Sequence, residues 1–590
     1  MNSTVHEQRF LGVKRDGPRV VAPRPTDGQS PSADNGGNAG ARVRVQAQAQ
    51  ASVSSLRPAF LRFPLIALIA VVAMALTASC ADEILGESPP ADQLYYPVGL
   101  VAVPGALERA NYVAVVSSNF DQRYNAGRVT TLSVDDLFAR VAEISLSTSS
   151  LSKVVSPTFD ANLARSIVSS LRIDQLGGHV IYVPSTSDPA LGTLFVPSRD
   201  QNWLTMIDVD GDGQISCVGG GSDGSAATEV FVRTDCAAGH VLRTGAADPF
   251  SVAAVSAPTT PNALVAVGHL TSLDGSVSVA PLAALAERQV RAAEECAGLD
   301  AADCLSLLGA PVVRLPTGLP GVGGMASIPP PPDAASFPER PNLGKLIVAG
   351  NQADLSSSLD IGLSVLSIWN ETDDLAATNA SSLRVSSRRL SVAALAHAIE
   401  LRGVAVRSES PTTSGPATHY IYMAARFTGL TGTSDSQNGG LLVFRLIESA
   451  TDYRDDRLDL LAVLEVGEEV SGPFLLDHPS GAHLAYLPDA RSDKIWIVDV
   501  TREWPIVVGT IEGRASRTQD GEPYEAHTLD GPASMAFVQR GDRVLAVVTN
   551  FANSTLAVAD LSSAEPRTHQ VVARFGRDID AEGEAEGPRD

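Results

Sequence analysis

The sequence predicts an all-β fold, a β-propeller of seven four-stranded blades with a small helical insert, on three observations. Runs of roughly four to six apolar or β-branched residues recur between turn residues, which is typical of strands. The runs fall into units that open at a Pro/Gly turn and carry a strand ending near an Asp. The units return at intervals of about 70 residues, and a unit that cannot bury both of its faces alone must stack radially on its neighbours.

The first unit shows the pattern most completely. A small-apolar strand follows the turn in Tyr96–Val103, a β-rich strand covers Tyr112–Val116, and Arg128–Asp135 is a third strand ending at Asp. The later units begin at His179–Val183, Asp248–Val255, Gly324–Ile328, His419–Met423, Gly472–Asp477 and Gly531–Phe537. The second and fifth lack a clear Pro/Gly opening, so the sequence alone leaves a count of six to eight blades open.

Two inserts interrupt the propeller, which we place at residues 95–575. Residues 282–309 are rich in Ala and predict a small helical insert. Residues 315–343 hold many Pro and Gly, and predict an extended surface loop. The tail 576–590 is acidic and is expected to be disordered.

Composition excludes several classes of protein. The chain has 590 residues and a formal net charge of −23, so it lacks the basic excess with which proteins neutralise nucleic-acid phosphates, and we expect no nucleic-acid partner. Its hydrophobic fraction of 44% is that of a globular rather than a disordered chain. Five cysteines are too few for a disulfide-dense scaffold.

The charge is unevenly distributed along the chain. Residues 1–62 carry nine basic and four acidic side chains, a net charge of +5, so the remainder carries −28. This segment is also rich in Pro, Gly, Ser, Gln and Asn and has no apolar period, which predicts a disordered leader. A start codon assigned too early explains a leader ahead of a signal most simply, and a genuine cytosolic tail is the alternative.

An export signal is predicted at residues 63–80, followed by a linker at 81–94. Arg57 and Arg62 precede an unbroken apolar run, Phe63–Leu76, and small residues follow it. The run is about 14 residues long, shorter than the roughly 20 residues that a membrane-spanning helix needs.

The end of this segment, Leu76-Thr77-Ala78-Ser79-Cys80, resembles bacterial lipoprotein signals. In that family the Cys is lipidated and becomes the new N-terminus, which here implies a lipid on Cys80. Leu76 lies one place further upstream than the family pattern. Ala81 after the Cys implies sorting to the outer membrane, where the lipid would hold the protein to the bilayer. An uncleaved signal anchor and an ordinary signal peptide remain the alternatives.

Four further cysteines, Cys217, Cys236, Cys296 and Cys304, allow three disulfide pairings. Proximity in sequence favours Cys217–Cys236 and Cys296–Cys304. An oxidising compartment outside the cytoplasm would let both bonds form. Four free buried thiols are the alternative.

One motif predicts a structural metal site. Carboxylates alternate along a short segment that also places a Gly where a sharp turn is needed, which is how calcium loops gather oxygen ligands. The segment resembles the EF-hand and dockerin-type calcium loop, which implies Ca²⁺. Gly219 stands where the family has a bidentate Glu; Asp223, Glu229 or water could substitute, and a solvated Asp-Gly turn is the alternative. The predicted ligands are Asp208, Asp210, Asp212 and Gln214.

The repeated units resemble the YVTN-type and quinoprotein-like β-propellers. Asn119 and Asn550 fall where that family has an Asn after its second strand, each followed by a Phe. We interpret these residues first as caps of their loops and second as ligand contacts.

No catalytic constellation is evident in the sequence. The ten His show no zinc-binding spacing, and the Gly-x-Ser-x-Gly string at 220–224 lies in a Gly-rich loop with no strand leading into it. We therefore expect a lipid-anchored outer-membrane propeller with a non-catalytic binding or scaffold role and an unknown protein or small-molecule partner. The alternatives are a channel enzyme, either a lactonase-like hydrolase or a quinone-dependent dehydrogenase, and a substrate-binding component of a surface assembly.

Overall fold

The computed structural model describes residues 88–576 of the chain, apart from internal gaps. All described residues belong to one compact unit. The predicted leader 1–62, the signal 63–80 with Cys80, and residues 577–590 of the tail lie outside the described residues. The gaps are 105–109, 121–123, 148–157, 161–162, 186–187, 189–190, 218–233, 257–262, 272–274, 297–298, 300, 331–342, 351–361, 371–381, 393–397, 410–416, 429–436, 450–451 and 520–521.

Seven antiparallel four-stranded sheets follow one another along the chain, each built from consecutive strands except where a short insert intervenes. Blades 1 and 2 with their inserts comprise β1 (Pro97–Val103), β2 (Tyr112–Ser117), β3 (Gly127–Ser133), α1 (Val134–Ser147), β4 (Thr158–Asp160), β5 (Ile167–Ile173), β6 (Ile181–Pro184), β7 (Gly192–Ser198), β8 (Trp203–Val209), β9 (Ile215–Ser216) and β10 (Val241–Arg243).

Blades 3 to 5 continue the same pattern, and the strands reach 12 residues in blade 5. They comprise β11 (Pro249–Val255), β12 (Leu264–His269), β13 (Ser276–Pro281), α2 (Leu282–Glu295), α3 (Ala301–Leu308), β14 (Val313–Pro316), β15 (Gly324–Ile328), β16 (Lys345–Gly350), β17 (Gly362–Asn370), β18 (Leu383–Ser391), β19 (Ala398–Glu409), β20 (Thr418–Thr428), β21 (Gln437–Ile447) and β22 (Arg457–Glu465).

Blades 6 and 7 are separated by an additional two-stranded hairpin. They comprise β23 (Phe474–Asp477), β24 (His483–Asp489), β25 (Lys494–Asp499), β26 (Ile506–Glu512), the hairpin strands β27 (Arg514–Gln519) and β28 (Glu522–His527), β29 (Pro532–Arg540), β30 (Arg543–Asn550), β31 (Thr555–Asp560) and β32 (Gln570–Phe575). The predicted seven-bladed propeller with a helical insert is confirmed.

Apolar side chains fill the spaces between neighbouring blades. Among the described residues, one apolar cluster lies at each of the seven blade interfaces, including the interface of blade 7 with blade 1. Alternate residues of each strand point to opposite faces of a sheet, so strands buried on both faces read as nearly continuous apolar runs. Burial of each Leu or Val in such a cluster contributes about 1.5–3 kcal/mol.

The innermost strands approach one another closely, which explains the glycines of the sequence pattern. A Cβ atom added at Gly99 would lie 2.8 Å from the carbonyl oxygen of Gly178 in the next blade, and one added at Gly324 would lie 2.7 Å from the Cα of Gly403. Side chains do not fit at such distances, so these positions require glycine.

Blade 1 and blade 7 close the ring at a seam that joins distant parts of the chain. Arg540 donates to Asp135 at 2.7 Å and to the carbonyl oxygen of Ala110 at 2.8 Å. The short strand β4, which lies between the third and fourth strands of blade 1, pairs in parallel with β32 on the outer edge of blade 7. β4 therefore covers the second half of that edge strand, Ala573–Phe575.

The helix α1 was not anticipated from the sequence, where the third strand was extended to Asp135. The strand ends at Ser133, whose hydroxyl accepts a hydrogen bond from the backbone N–H of Asp136 at 3.2 Å and caps the helix. Val134, Leu137 and Val141 recur at helical spacing and are buried in the apolar cluster of the seam.

The helical insert consists of α2 and α3 and docks beside blade 2. The guanidinium of Arg288, only 3% exposed, donates to the carbonyl oxygens of Ala238 and Gly239 at 2.9 and 3.1 Å. Both predicted disulfides are present, Cys296–Cys304 between the two helices and Cys217–Cys236 beside blade 2. No helix within the described residues is long and apolar enough to span a membrane.

Candidate functional site

Three aromatic rings from blades 1 and 7 meet at the face of the propeller where the innermost strands begin. The ring of Phe551 lies 5.3 Å from that of Tyr96 and 5.6 Å from that of Phe120. Phe120 remains 56% exposed. We call Tyr96, Phe120 and Phe551 the aromatic cluster.

The loop that carries Phe120 is held by its neighbour Asn119. The side-chain oxygen of Asn119 accepts from the backbone N–H of Tyr124 at 3.0 Å, and its amide donates to the carbonyl oxygen of Tyr124 at 2.6 Å. Asn119 has a φ of 52°, in the left-handed region that Asn tolerates better than most residues. The asparagine therefore closes the loop, as expected from the sequence.

Asn550 plays the matching part in blade 7. It is fully buried, and its amide donates to the carbonyl oxygen of Thr528 at 3.2 Å and to the hydroxyl of Thr555 at 3.0 Å. The next residue, Phe551, donates its backbone N–H to the carbonyl oxygen of Gly531 at 3.0 Å. Both phenylalanines of the aromatic cluster thus follow an asparagine that fixes their backbone.

The first described residues run along the same face of the propeller. Arg128 donates to the carbonyl oxygen of Pro89 at 2.8 Å, and the buried ring of Tyr95 lies 4.9 Å from that of Tyr124. Burial raises the pKa of Tyr95. Tyr96 donates its backbone N–H to the hydroxyl of Ser554 at 3.0 Å. The segment from Pro89 to Tyr96, which leads into β1, is therefore held beside the aromatic cluster.

The predicted calcium loop begins near the end of β8, at Asp208, and lies beside Tyr112. Asp208 faces two partners, with Nε2 of His240 at 3.1 Å and the hydroxyl of Thr193 at 3.3 Å. One carboxylate oxygen of Asp210 accepts from the backbone N–H groups of Asp212 and Gln214, each at 2.9 Å.

The side-chain amide of Gln214 donates to the carbonyl oxygen of Val168 at 3.3 Å rather than facing the carboxylates. Within the described part of the chain, no three His, Cys, Asp or Glu side chains come together in a way that could hold a metal ion. In this arrangement Asp208 and Asp210 are engaged by donors of the protein itself, and calcium binding stays a prediction.

A buried cluster of charges lies at the interface of blades 4 and 5. The ammonium of Lys345 forms ion pairs with Glu448 and, at 3.1 Å, with Asp456. His419 lies with its Nε2 3.6 Å from Glu448, and its Nδ1 is 2.8 Å from the hydroxyl of Ser408. These four ionisable side chains are all at least nine-tenths buried. We call Lys345, His419, Glu448 and Asp456 the buried charge cluster.

The two carboxyls of this cluster are shifted in opposite directions. Burial alone would raise the pKa of Glu448, but His419 and Lys345 outweigh it and lower the pKa to about 2. Burial raises the pKa of Asp456, and Lys345 only partly offsets this. Glu448 therefore holds its charge, whereas Asp456 is easier to protonate.

The sequence offered little signal for this cluster. His419 was interpreted only as a strand residue, and Glu448 and Asp456 lie more than 20 residues beyond it. Lys345 lies opposite Ser367 in blade 4 and His419 lies opposite Leu446 in blade 5, so the cluster forms only where the two blades pack together. That register follows from the whole fold rather than from local spacing.

Two further histidines lie at or near the starts of strands and have structural partners. The ring of His179 lies 4.6 Å from that of Phe250 in the next blade, and burial lowers its pKa to about 4. His483 places its Nδ1 2.6 Å from the carboxylate of Asp477.

Comparisons with known proteins show only distant similarity. No protein-family profile and no curated protein matches this sequence. A protein of unknown function from Desulfotomaculum acetoxidans is 8% identical, with a TM-score of 0.34, over 73% of this chain and 90% of that chain. A proposed 6-phosphogluconolactonase from Bacteroides fragilis is 11% identical, with a TM-score of 0.28, over 66% and 99%.

An auxiliary nutrient binding protein from Bacteroides thetaiotaomicron is 10% identical, with a TM-score of 0.27, over 65% of this chain and 67% of that chain. Similarities of this size carry no argument about function. The fold assignment rests on the sheet topology itself.

Proposed function

We propose that this protein is a lipid-anchored, non-catalytic propeller of the outer membrane that binds a protein or small-molecule partner through its aromatic cluster. The observation that carries the proposal is Phe120, a large aromatic side chain that is 56% exposed on a loop fixed by Asn119. Aromatic residues dominate the energetics of binding surfaces, because each buries a large area when a partner covers it.

The fixed backbone of the aromatic cluster supports this role. A side chain already held in its binding position loses little conformational entropy when a partner binds. Phe120 contacts Phe551, and Phe551 contacts Tyr96, so the three rings form one surface across two blades.

The binding role is tested by a photoreactive phenylalanine analogue placed at Phe120 in cells that express the full chain. Asp542 is a suitable control position, because it is exposed in the turn between β29 and β30, at the opposite end of blade 7. We expect a discrete cross-linked partner from position 120 and none from position 542. The additional substitution Phe551→Ser should weaken that cross-link, and equal products from both positions would contradict the proposal.

The lipid anchor is tested at Cys80. In cells fed labelled fatty acid, we expect label in the parent and in a Ser79→Ala control, which keeps a small residue before the Cys, but none in Cys80→Ala. Equal labelling of the Cys80→Ala protein, or no labelling of the parent, would exclude a lipid on this residue. The body carries excess negative charge, so electrostatic attraction to anionic lipid would not replace the anchor.

The absence of catalysis is tested with the substrates of the alternative enzymes. Purified full-length protein should hydrolyse no lactone and oxidise no sugar with a quinone acceptor, with or without Ca²⁺, Mg²⁺ or Mn²⁺. Metal-dependent turnover in either assay would replace the binding role with that of a channel enzyme.

The calcium prediction has an independent test. Asp208 already has His240 and Thr193 as partners, so Ca²⁺ at 208–214 would compete with these two contacts. A ligand that binds the folded state raises the melting temperature. Calcium added after EDTA treatment should therefore raise the melting temperature of the parent but not of Asp212→Asn, and an unchanged parent would count against the site.

A further inference from the structure

A cavity of about 170 Å³ opens on the outer side of the interface between blades 4 and 5, away from the aromatic cluster. Ser367 on β17 and Ser386 and Arg388 on β18 form its blade 4 wall, and these strands pair so that Ser367 lies opposite Ser386. Blade 5 contributes Tyr453 and Asp456 from the connection between β21 and β22.

Most polar groups of the walls can donate a hydrogen bond, and the hydroxyls can also accept one. The hydroxyls of Ser367, Ser386 and Tyr453 and the guanidinium of Arg388 can all donate. The carboxylate of Asp456 is already occupied, because one oxygen accepts from the backbone N–H of Ser449 at 2.8 Å and the other lies 3.1 Å from Lys345. A molecule that enters the cavity therefore meets several hydrogen-bond donors, whereas both oxygens of the Asp456 carboxylate already have partners.

Arg388 supplies an unbalanced positive charge. Its guanidinium donates to the carbonyl oxygen of Asp456, and no carboxylate among the described residues lies within ion-pair distance of it. The other Arg of the wall, Arg454, is paired with Asp452 at 2.7 Å. Burial raises the pKa of Asp456, which reduces the charge that would repel an anion.

The remaining walls are apolar and firmly built. Val365 and Leu446 line the cavity, and the ring of Tyr453 is held by an edge contact with Trp369 at 4.7 Å between ring centres. Ser367 and Asp456 are 4% and 6% exposed, so the base of the cavity is fixed by buried side chains. A cavity of about 150 Å³ holds a six-membered ring.

We propose that this cavity is a second binding site, specific for a small monocarboxylate with an apolar body, and that Arg388 holds the carboxylate. The guanidinium fork presents two parallel N–H groups to a carboxylate, and the serine hydroxyls complete its hydrogen bonds. The apolar body of the ligand packs against Val365, Leu446 and the ring of Tyr453.

The test uses benzoate and its neutral isostere benzamide as probes of the purified full-length protein, with dissociation constants from saturation-transfer NMR. We expect benzoate to bind with a dissociation constant of about 1 mM or below, and roughly tenfold or more tighter than benzamide, since only the carboxylate forms a charge-assisted pair. Equal binding of the two probes, or no benzoate binding below about 10 mM, would overturn the proposal.

A matched pair of variants locates the site. Arg388→Gln should weaken benzoate binding roughly tenfold or more. Arg389→Gln makes the same chemical change at the next residue, which points to the other face of the strand and donates to Gly318, and should leave binding unchanged. Equal loss in both variants would mean general attraction to surface charge and would overturn the proposal.

A second pair removes the cavity without touching an Arg. Ser386→Leu fills the space and should abolish benzoate binding, whereas Ser387→Leu, at an exposed position that does not line the cavity, should not. Melting temperatures of all four variants establish that they fold. Benzoate binding that persists in a folded Ser386→Leu protein would place the ligand elsewhere and overturn the proposal.

Discussion

Two blade interfaces of this propeller are held together by different means. At the closing seam between blades 7 and 1, apolar side chains such as Leu132, Leu545 and Val547 fill the interior, and the ion pair of Arg540 with Asp135 lies at the surface. At the interface of blades 4 and 5, a similar apolar cluster accompanies four buried ionisable side chains.

The difference shows that a blade interface needs apolar packing but not charge. Buried ion pairs pay a desolvation penalty that their mutual attraction only partly recovers, so well-packed apolar residues would serve stability equally well. The charges between blades 4 and 5 therefore require another reason, and the neighbouring carboxylate cavity supplies one, since Lys345 neutralises the Asp456 of its wall.

The largest effect is expected from Lys345→Met. Loss of the ammonium removes the cation that Glu448 and Asp456 share in this buried site, which should lower the free energy of unfolding by about 3–5 kcal/mol. Urea denaturation at neutral pH measures this loss. Lys494→Met removes a partner from an exposed pair with Glu512 and should lose at most about 1 kcal/mol. Equal losses in the two variants would mean that the buried charges do not distinguish this interface.

Acid should weaken the interface of blades 4 and 5 through Glu448. Its pKa is depressed from 4.5 to about 2 in the folded protein, so its contribution is complete above the unfolded value and is lost as the pH falls from about 5 to 2. A shift of that size corresponds to about 3 kcal/mol. The raised pKa of Asp456 acts in the opposite sense, since protonation of that carboxyl favours the folded state.

The pH dependence of Glu448 can be isolated by substitution. In urea denaturation between pH 5 and 2, the parent should lose stability relative to Glu448→Gln. The control Glu512→Gln changes an exposed carboxylate and should follow the parent at every pH. If the free energy of unfolding falls equally with pH in the parent and in Glu448→Gln, the charge of Glu448 does not stabilise this interface.

The apolar parts of the two interfaces should be equivalent. Leu545 at the seam and Leu442 between blades 4 and 5 are both fully buried, so Leu→Ala at either position should lower the free energy of unfolding by about 2–4 kcal/mol. The difference between each variant and the parent should not change with pH. A much larger loss at Leu545 would show instead that the seam, which joins distant parts of the chain, limits the stability of the ring.

The smallest effect is expected at the loop of the aromatic cluster. Asn119→Ala removes two hydrogen bonds to Tyr124 and places an Ala at a φ of 52°, which together should lower the free energy of unfolding by about 1–2 kcal/mol. Asn119→Gly loses the same hydrogen bonds without the backbone strain and should lose less. If Ala and Gly are equally tolerated, the left-handed backbone at Asn119 contributes nothing to holding Phe120.

Local patterns in the sequence predicted much of the fold, because propeller strands are apolar on both faces and turn at Gly and Pro. The openings of blades 1, 3, 4, 6 and 7, the helical insert and both disulfides follow from such patterns. The first strand of blade 5, Ala398–Glu409, was missed because no Pro/Gly turn precedes it and Glu400, Arg402 and Arg407 break its apolar run.

What the sequence did not predict depends on contacts between distant residues. The strand β4 is three residues long, too short for a sequence pattern, and it forms by pairing with β32. The hairpin β27–β28 is too polar to show the alternation of apolar residues that predicts a strand. The buried charge cluster needs the register of two blades. At the aromatic cluster, the equivalent positions of Asn119 and Asn550 were visible in the sequence, but the meeting of Phe120 with Phe551 requires a closed ring.

The pairing of β4 with β32 makes the closure of the ring depend on the last described strand. β4 belongs to the first blade and its partner belongs to the last. A protein truncated before residue 570 would retain β4 and lose the strand that it covers, which exposes both β4 and the edge of β31 to other chains or to proteases. Loss of the last strand would therefore expose strand edges that the β4–β32 pair protects.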